Sequence, residues 1–210
     1  MSVHAVKTAL GDAVDLRAGH PFRGAIEDVH DGPVRAVQMK DLDPLAGVEW
    51  RGVIRTRLAG RRPPYWLADG DLLFVARGTR FYAVCVDAPP GPAVCGPHLF
   101  HLRIHSGRAL LPAFLAWQIN QGPFQRALQR AAEGSSQLSV RRPVLESLTV
   151  GIPPLCDQER IVAMARLARR ERELHQLLLR NREMQFQSIA EALAGASSDP
   201  STAHREPDKL

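Results

Sequence analysis

The sequence predicts an α+β fold, in which a globular domain of mixed β-sheet and helices is followed by one long C-terminal helix able to form a coiled coil. Two observations support this prediction. Residues 158–194 contain neither proline nor glycine, and their apolar residues recur at steps of three and four, the period of a helix with one apolar face. Before them, short apolar runs alternate with segments rich in glycine and proline, as expected of strands joined by turns.

The long helix is predicted to begin after Pro153 and Pro154, which cannot continue an incoming strand, with Asp157 able to cap its free amide groups. At about 1.5 Å per residue it spans about 50 Å. Its apolar stripe fits a heptad repeat, and an Asn at an a position often fixes the register and number of partners. The predicted dimerisation seam consists of Leu167, Leu174, Leu177, Leu178, Asn181 and Met184. The alternative is that the stripe packs only on the chain's own domain.

Composition divides the chain into a globular domain at 1–152, the helix at 153–194 and a tail at 195–210, which we expect to be disordered because it is polar and lacks periodicity. The net charge is +5, and residues 1–156 hold 18 Lys and Arg against 13 Asp and Glu. The basic excess therefore lies in the globular domain, as expected of a domain that meets phosphates, although many proteins of similar charge bind none. No apolar run is long enough to span a membrane and no leader pattern is present, which predicts a cytoplasmic protein without a membrane partner.

Several strands are predicted within the globular domain. Residues 72–76 form a continuous apolar run after a turn at Asp69 and Gly70, and residues 81–86 read as the return strand of a hairpin with residues 77–80 at its tip. Residues 98–105 alternate, which predicts a half-buried strand with His101, Arg103 and His105 on its polar face.

Further elements follow from the same signals. The segments predicted as strands are 13–16, 34–39 and the stretch before the paired prolines, while 110–132 is predicted as a helix interrupted by Gly122 and Pro123. Residues 43–64 are poor in apolar side chains and carry clustered arginines near aromatic residues, which suggests an exposed insertion. Such a segment suits phosphate contact, and a merely solvated loop explains it equally well.

Motifs of catalytic chemistry are absent from the sequence. It contains no GxxxxGKS phosphate loop, no GxGxxG after a strand, and neither HExxH nor GxSxG. Cys95, His98, His101 and His105 are close in sequence, but His98 would point away from the other two histidines in a strand. We therefore predict neither a catalytic site nor a metal site.

The order of these signals resembles one known family, the DNA-specificity (S) subunits of type I restriction-modification systems. The resemblance covers residues 6–193 and rests most on the polar loop, strand, paired prolines and helix start near the C-terminus. The matching segments are LGDAVDLRAGHPFRG, VQMKDL, GDLLFVARG, HLFHLRI, LPAFLAWQINQ and GSSQLSVRRPVLESLTVGIPPLCDQERIVAM.

The resemblance implies a target-recognition domain followed by a spacer helix. An S subunit of this family usually carries two such units, each of which reads one half of a split site, whereas this sequence has one recognition domain and one helix. We therefore expect a half-length form that pairs as a homodimer and reads a bipartite, palindromic site on double-stranded DNA. It also implies a non-catalytic chain without a cofactor of its own, a partner adenine-N6 methyltransferase that carries S-adenosylmethionine, and in some systems a restriction and translocase subunit.

Candidate DNA-binding residues follow from position in this resemblance and from basic or polar character. They are Arg17, His20, Arg23, Lys40, Arg61, Arg62, Arg77, Thr79, Arg80, Ser135, Ser136, Gln137, Ser139, Arg141 and Arg142. Each has an ordinary alternative: solvated surface for the loops and the hairpin tip, and a structural anchor for Arg141 and Arg142. Two other functions stay open at this point, an assembly module that uses its helix and never touches DNA, and a nuclease.

Overall fold

The structure is a computed structural model that describes residues 5–59, 63–132 and 138–196. The chain divides into two compact units, residues 1–165 and residues 166–210, which are treated separately below. We call the first unit the body and the helical residues 166–196 of the second unit the rod.

The strands of the described residues all lie in the body. In chain order they are β1 (Val6–Ala9), β2 (Val14–Ala18), β3 (Val34–Val37), β4 (Leu42–Asp43), β5 (Gly47–Val48), β6 (Arg55–Thr56), β7 (Leu72–Val75), β8 (Tyr82–Cys85), β9 (Ala93–Cys95), β10 (Leu99–Ile104) and β11 (Thr149–Ile152). The helices are α1 (Leu10–Ala13), α2 (Pro112–Ile119), α3 (Gly122–Ala131), α4 (Arg142–Ser147) and α5 (Leu155–Ala196), with a short 3-10 turn at Met39–Asp41.

A four-stranded sheet in the order β2-β10-β7-β8 forms the centre of the body. Strand β7 shows why it is buried on both faces. Leu72 and Phe74 pack into one apolar core together with residues of α2, α3 and α4, whereas Leu73 and Val75 pack into a second core with β9 and the end of β3. Because side chains alternate along a strand, a continuous apolar run is what a strand between two cores requires.

Smaller sheets complete the body. Strands β6, β3 and β9 form a three-stranded sheet in that order, with β3 and β9 parallel. Strand β1 pairs with β11, and β4 pairs with β5. The strand β11 leads through Pro153 and Pro154 into α5, whose first turns pack on the helix side of the core through Ile161 and Val162.

Buried amides hold these layers together. Asn120 accepts a hydrogen bond from the Ala83 amide and donates one to the Ala83 carbonyl, both at 2.8 Å, which ties α2 to β8. Gln158 is fully buried, and it accepts a bond from the Leu111 amide at 2.8 Å and donates to the carbonyls of Ala109 (2.8 Å) and Pro153 (2.7 Å). Both residues belong to the segments that carry the resemblance, so these parts of the pattern serve the fold.

The rod is helical to Ala196, and its apolar side chains are open to solvent. The predicted seam residues are exposed to the following fractions: Leu167 71%, Leu174 45%, Leu177 52%, Leu178 55% and Met184 64%. Asn181 is exposed as well. Leu179 (58%) and Phe186 (75%) are exposed apolar residues that the predicted seam does not include.

The α+β class, the long helix, the hairpin of β7 and β8, and the two helices divided near Gly122 are confirmed. The helix α4 was missed, because the sequence around Pro143 was read as a loop leading into a strand. Proline suits the first turn of a helix, and this signal was overlooked. The expectation of an exposed insertion at 43–64 was partly wrong, since Val53 and Thr56 are buried. The predicted tail falls on residues 195–210, of which 197–210 lie outside the described residues.

Candidate nucleic-acid interface

The topology brings two separated groups of predicted binding residues to one edge of the central sheet. Strands β2 and β7 both pair antiparallel with β10, so they run parallel to each other and end at the same edge. The residues that follow β2, with His20 and Arg23, and the hairpin tip at 77–80 therefore leave the sheet together. We call this the loop edge, the edge where β2 and β7 end and β10 begins.

Lys40 reaches the loop edge from the three-stranded sheet. Strand β3 runs parallel to β9, with Val37 opposite Cys95, and the Gly96 amide donates to the Val37 carbonyl at 2.7 Å. The His20 amide donates to the Cys95 carbonyl, also at 2.7 Å, which connects the loop after β2 to the same point. The 3-10 turn that carries Lys40 follows β3 directly, and the Lys40 side chain is exposed.

The hairpin tip is paired with the segment that contains Ser139. Arg77 and Ser139 form an isolated antiparallel bridge, flanked by hydrogen bonds from the Gly78 amide to the Leu138 carbonyl (3.1 Å) and from the Val140 amide to the Ala76 carbonyl (2.9 Å). These contacts anchor the base of the tip. Arg77, Thr79 and Arg80 remain exposed, so the tip presents two guanidinium groups and a hydroxyl to solvent.

The remaining candidates divide into two sets. Arg141 is the residue before α4, and Arg142 in its first turn forms an ion pair with Glu146 at 2.8 Å. The positive charge of Arg142 also contributes to lowering the pKa of Asp15 on β2, so it acts on the same part of the body. Five candidates lie outside the described residues: Arg61, Arg62, Ser135, Ser136 and Gln137.

Arg17 is held in one position by Asp15 and Tyr65. Its Nε donates to Asp15 Oδ2 at 3.0 Å, and its guanidinium carbon lies 3.9 Å from the centre of the Tyr65 ring, within the range of a cation–π contact. The Tyr65 hydroxyl donates to the same Asp15 oxygen at 3.2 Å. Burial by itself would raise the pKa of Asp15, but the hydrogen bonds from Arg17 and Tyr65 outweigh it and hold that pKa below its ordinary value.

Next to this cluster, Asp71, just before β7, contacts His101 and Arg103 of β10. Asp71 receives two hydrogen bonds from Arg103, at 2.8 and 2.7 Å, and its Oδ2 lies 2.7 Å from His101 Nε2. Burial raises the pKa of Asp71, yet the bonds from Arg103, His101 and the Ala68 amide outweigh it and lower the pKa to about 2. The expectation of a polar, half-exposed face for His101 was wrong, because its side chain is only 1% exposed beneath Tyr65.

These groups enclose a cleft of about 630 Å³ at the loop edge, which we call the Arg17 cleft. Its rim includes Arg17, His20, Phe22 and Arg23. Another wall consists of Pro63 and Pro64, and the rest of the lining includes Tyr65, Cys95 and His101. Burial raises the pKa of the Cys95 thiol to about 12, so that thiol stays protonated and acts as an apolar wall.

Sequence reasoning found the rim of the cleft and missed the groups that support it. Asp15 and Arg17 stand two apart on a strand, as do His101 and Arg103, so each pair shares one face of its strand. That spacing was the available signal for β2. Asp71 and Tyr65 carry no such signal, since their contacts with Arg103 and Arg17 join residues far apart in sequence.

The described residues contain neither a cluster of metal-ligating side chains nor a membrane-spanning helix. Across 5–59, 63–132 and 138–196, no group of three or more His, Cys, Asp or Glu side chains could hold a metal ion. Within the same ranges, no helix has the length and apolar character that crossing a membrane requires.

Comparison with known proteins identifies the fold. No protein-family model matches the sequence, and no curated protein matches it. Solved structures do match, and three of them have TM-scores of 0.54 to 0.56 at 15 to 17% identity. One is a type I restriction-modification system S subunit from M. genitalium (TM-score 0.56, 15% identity, 89% of this chain and 45% of that one). Another comes from work on complex assembly and conformational transition of the type I R-M system (TM-score 0.56, 17% identity, 91% of this chain and 43% of that one).

The third is the HsdS subunit from Thermoanaerobacter tengcongensis (TM-score 0.54, 17% identity, 95% of this chain and 41% of that one). The chain thus spans less than half the length of each structure it matches. At these identities the likeness establishes a shared fold, and the resemblance to S subunits expected from the sequence is confirmed at that level.

Proposed function

We propose that this chain, which has the fold of type I S subunits, is a DNA-specificity subunit: it recognises duplex DNA, does no chemistry itself, and directs an adenine-N6 methyltransferase to its site. The observation that carries the proposal is the convergence at the loop edge. Residues that follow β2, β3 and β7, far apart in sequence, put exposed basic side chains at one edge of the body. A basic edge that combines a protruding tip with a cleft suits the alternating ridges and grooves of a duplex.

Different parts of the edge have different tasks in this proposal. Arg77, Thr79 and Arg80 protrude at the hairpin tip and read base edges in a groove, where a well-placed bidentate arginine is worth about 1 to 3 kcal/mol of discrimination. Lys40 and the basic residues after β2 neutralise phosphates and fix the register of the body on the duplex. Arg142, whose guanidinium is already paired with Glu146, has a supporting role.

The exposed stripe of the rod supports a second copy of the chain as the partner. Leu167, Leu174 and Leu178 lie on one helix face at seam spacing, and apolar residues so exposed favour association with another helix. A homodimer with twofold symmetry places two identical bodies on one duplex, so its target is bipartite and palindromic. The methyltransferase partner carries S-adenosylmethionine, and a restriction and translocase subunit can join the same assembly.

The proposal is tested by selection from a random duplex library with the purified chain. We expect enrichment of one motif of two half-sites in inverted repeat, with an affinity that falls steeply as salt rises because phosphates are neutralised. Absence of binding at low salt, even with the methyltransferase subunit added, would refute DNA recognition and favour an assembly module. Metal-dependent cleavage of the library by the chain alone would refute the non-catalytic role and favour a nuclease.

A further inference from the structure

The Arg17 cleft differs from the rest of the loop edge in its shape. The hairpin tip has exposed side chains, whereas the cleft is a concavity of about 630 Å³ at the same edge. On a DNA duplex the base edges are recessed in the grooves and the phosphates project along the ridges. A concave site therefore fits a projecting group of the backbone, while a protruding tip fits a groove.

Arg17 is already fixed for such a contact. Its Nε and one terminal nitrogen lie 3.0 and 2.9 Å from Asp15 Oδ2, and its guanidinium group lies over the Tyr65 ring. A guanidinium has five N–H donors, so donors remain for an anion, and 52% of the side chain is exposed. A group held in this way loses little conformational entropy when it binds.

The Tyr65 ring of the cleft does not offer a free stacking surface for a base. The Tyr65 ring is covered by Arg17 at 3.9 Å, by Arg103 at 4.7 Å and by the His101 ring at 4.5 Å between ring centres. These contacts occupy the ring with cations and an imidazole. Tyr65 therefore supports the charged groups of the cleft, and the ligand meets those groups rather than the ring.

The charges of the cleft favour an anion. Its lining includes Arg17, His20 and Arg23 and no carboxylate among the described residues. Arg23 is exposed and forms no ion pair with any described residue, so its charge is available to a ligand. On the floor, His101 is almost fully buried, with its Nε2 2.7 Å from Asp71 Oδ2.

The backbone fixes the rim of the cleft as well. The Gly19 amide donates to the Leu99 carbonyl at 2.9 Å, and a Cβ at Gly19 would lie 1.9 Å from the Gly96 carbonyl oxygen. Only glycine allows this approach. The loop that carries His20 and Arg23 thus starts from a fixed position against the neighbouring strands.

We propose that the Arg17 cleft holds one phosphodiester group of the DNA backbone, bound by the guanidinium groups of Arg17 and Arg23 with His20 at the rim, beside the groove that the hairpin tip enters. This inference rests on the proposed function. It assigns the cleft the task of setting the register of the body on the duplex, and it assigns no base to these residues.

The test is a scan of the enriched duplex in which single phosphates are replaced by neutral methylphosphonates, with binding of the full chain measured by fluorescence anisotropy. We expect one position in each half-site at which the replacement weakens the wild type about tenfold and Arg23→Gln clearly less, because the variant has already lost one of the two guanidinium contacts to that phosphate. Arg23→Gln should also lower the slope of log affinity against log salt by about 0.9 for each lost phosphate contact, with an unchanged motif.

The matched control is Arg108→Gln, which removes the same charge at the opposite edge of the sheet, where Arg108 donates to the Asp12 carbonyl at 2.7 Å. This variant should respond to the scan as the wild type does. If no phosphate couples to Arg23 while the duplex still binds, or if Arg23→Gln changes the enriched motif, the cleft is not a phosphate site although DNA recognition stands. Failure of the wild type to bind any duplex would instead remove the proposed function itself.

Discussion

The body and the rod treat apolar side chains in opposite ways. In the body, Leu72, Phe74 and Leu102 are fully buried between layers of secondary structure. In the rod, Leu167 and Phe186 are 71% and 75% exposed. The body therefore buries its apolar side chains within itself, whereas the rod exposes a stripe of them, as expected of a surface that binds a partner.

The local interactions of the rod do not replace such a partner. Arg169 and Glu173 form an i,i+4 ion pair at 2.8 Å, and Gln187 and Glu191 are similarly linked at 3.2 Å. Pairs of this kind contribute about 0.3 to 0.5 kcal/mol each on a helix surface. Burying one leucine on a partner helix contributes about 1.5 to 3 kcal/mol, so the stripe dominates the energetics of the rod.

The largest expected effect concerns the body alone. Gln158→Leu removes three hydrogen bonds and leaves the Leu111 amide and the carbonyls of Ala109 and Pro153 without that partner. We expect a loss of about 4 kcal/mol in the free energy of unfolding by urea denaturation. The control Gln176→Leu, at an exposed position of the rod, should change it by less than about 0.5 kcal/mol. Equal losses of stability for the two substitutions would contradict the structural role of Gln158 in the body.

The next effect concerns the rod alone. Leu174→Asp combined with Leu178→Asp puts two carboxylates into the proposed seam, and we expect the dimer to dissociate at least about 100-fold more readily. Analytical ultracentrifugation measures the oligomeric state, and the urea midpoint of the body should be unchanged. Gln176→Asp, on the opposite helix face, is the control and should stay dimeric. A double variant that remains dimeric would show that the seam lies elsewhere on the chain.

Asp71 gives the stability of the body a pH dependence. Its pKa is about 2 in the folded protein against an ordinary 3.8, so its stabilising contribution is fully present above about pH 4 and is lost as the pH falls through 2. The difference corresponds to about 2 kcal/mol. Urea denaturation at about pH 6 and about pH 2 should therefore show a smaller fall in stability for Asp71→Asn than for the wild type. Asp87→Asn, at an exposed site, should behave as the wild type, and an identical fall in both variants would refute this role.

The smallest expected effect tests whether the hairpin tip at the loop edge reads bases or contacts phosphates. Arg80→Gln leaves the fold intact, because the side chain is exposed at the hairpin tip. If the tip reads a base, discrimination at one position of each half-site falls about tenfold. Repeating the library selection with Arg80→Gln and Arg77→Gln measures this change. An unchanged motif with a reduced salt slope would mean that the tip meets phosphate.

Much of the fold could be predicted because its elements carry local signals. The rod follows from the period of its apolar residues, and the hairpin of β7 and β8 follows from two apolar runs around Gly78. The helix α4 was missed although Pro143 marks its first turn, since the six-residue element is too short to show a period. The buried faces of 43–64 were also missed, because Val53 and Thr56 are single residues among exposed ones.

The candidate site could be predicted only in part. The resemblance placed Arg17, His20, Arg23, Lys40 and the hairpin tip among the candidates, and strand pairing accounts for their convergence at one edge. The buried support of that edge depends on contacts across the sheet, such as the Arg103 bonds to Asp71 across 32 residues of sequence. Whether these residues bind DNA stays a prediction for experiment.

The most direct measurement is a genome-wide map of N6-methyladenine in cells that make this chain with the methyltransferase proposed as its partner, compared with cells that lack only this chain. We expect one palindromic, split motif to lose its methylation when the chain is absent. Loss of an asymmetric motif would contradict the homodimer and require a different second recognition subunit. An unchanged map would contradict the central claim that this chain chooses the DNA sequence.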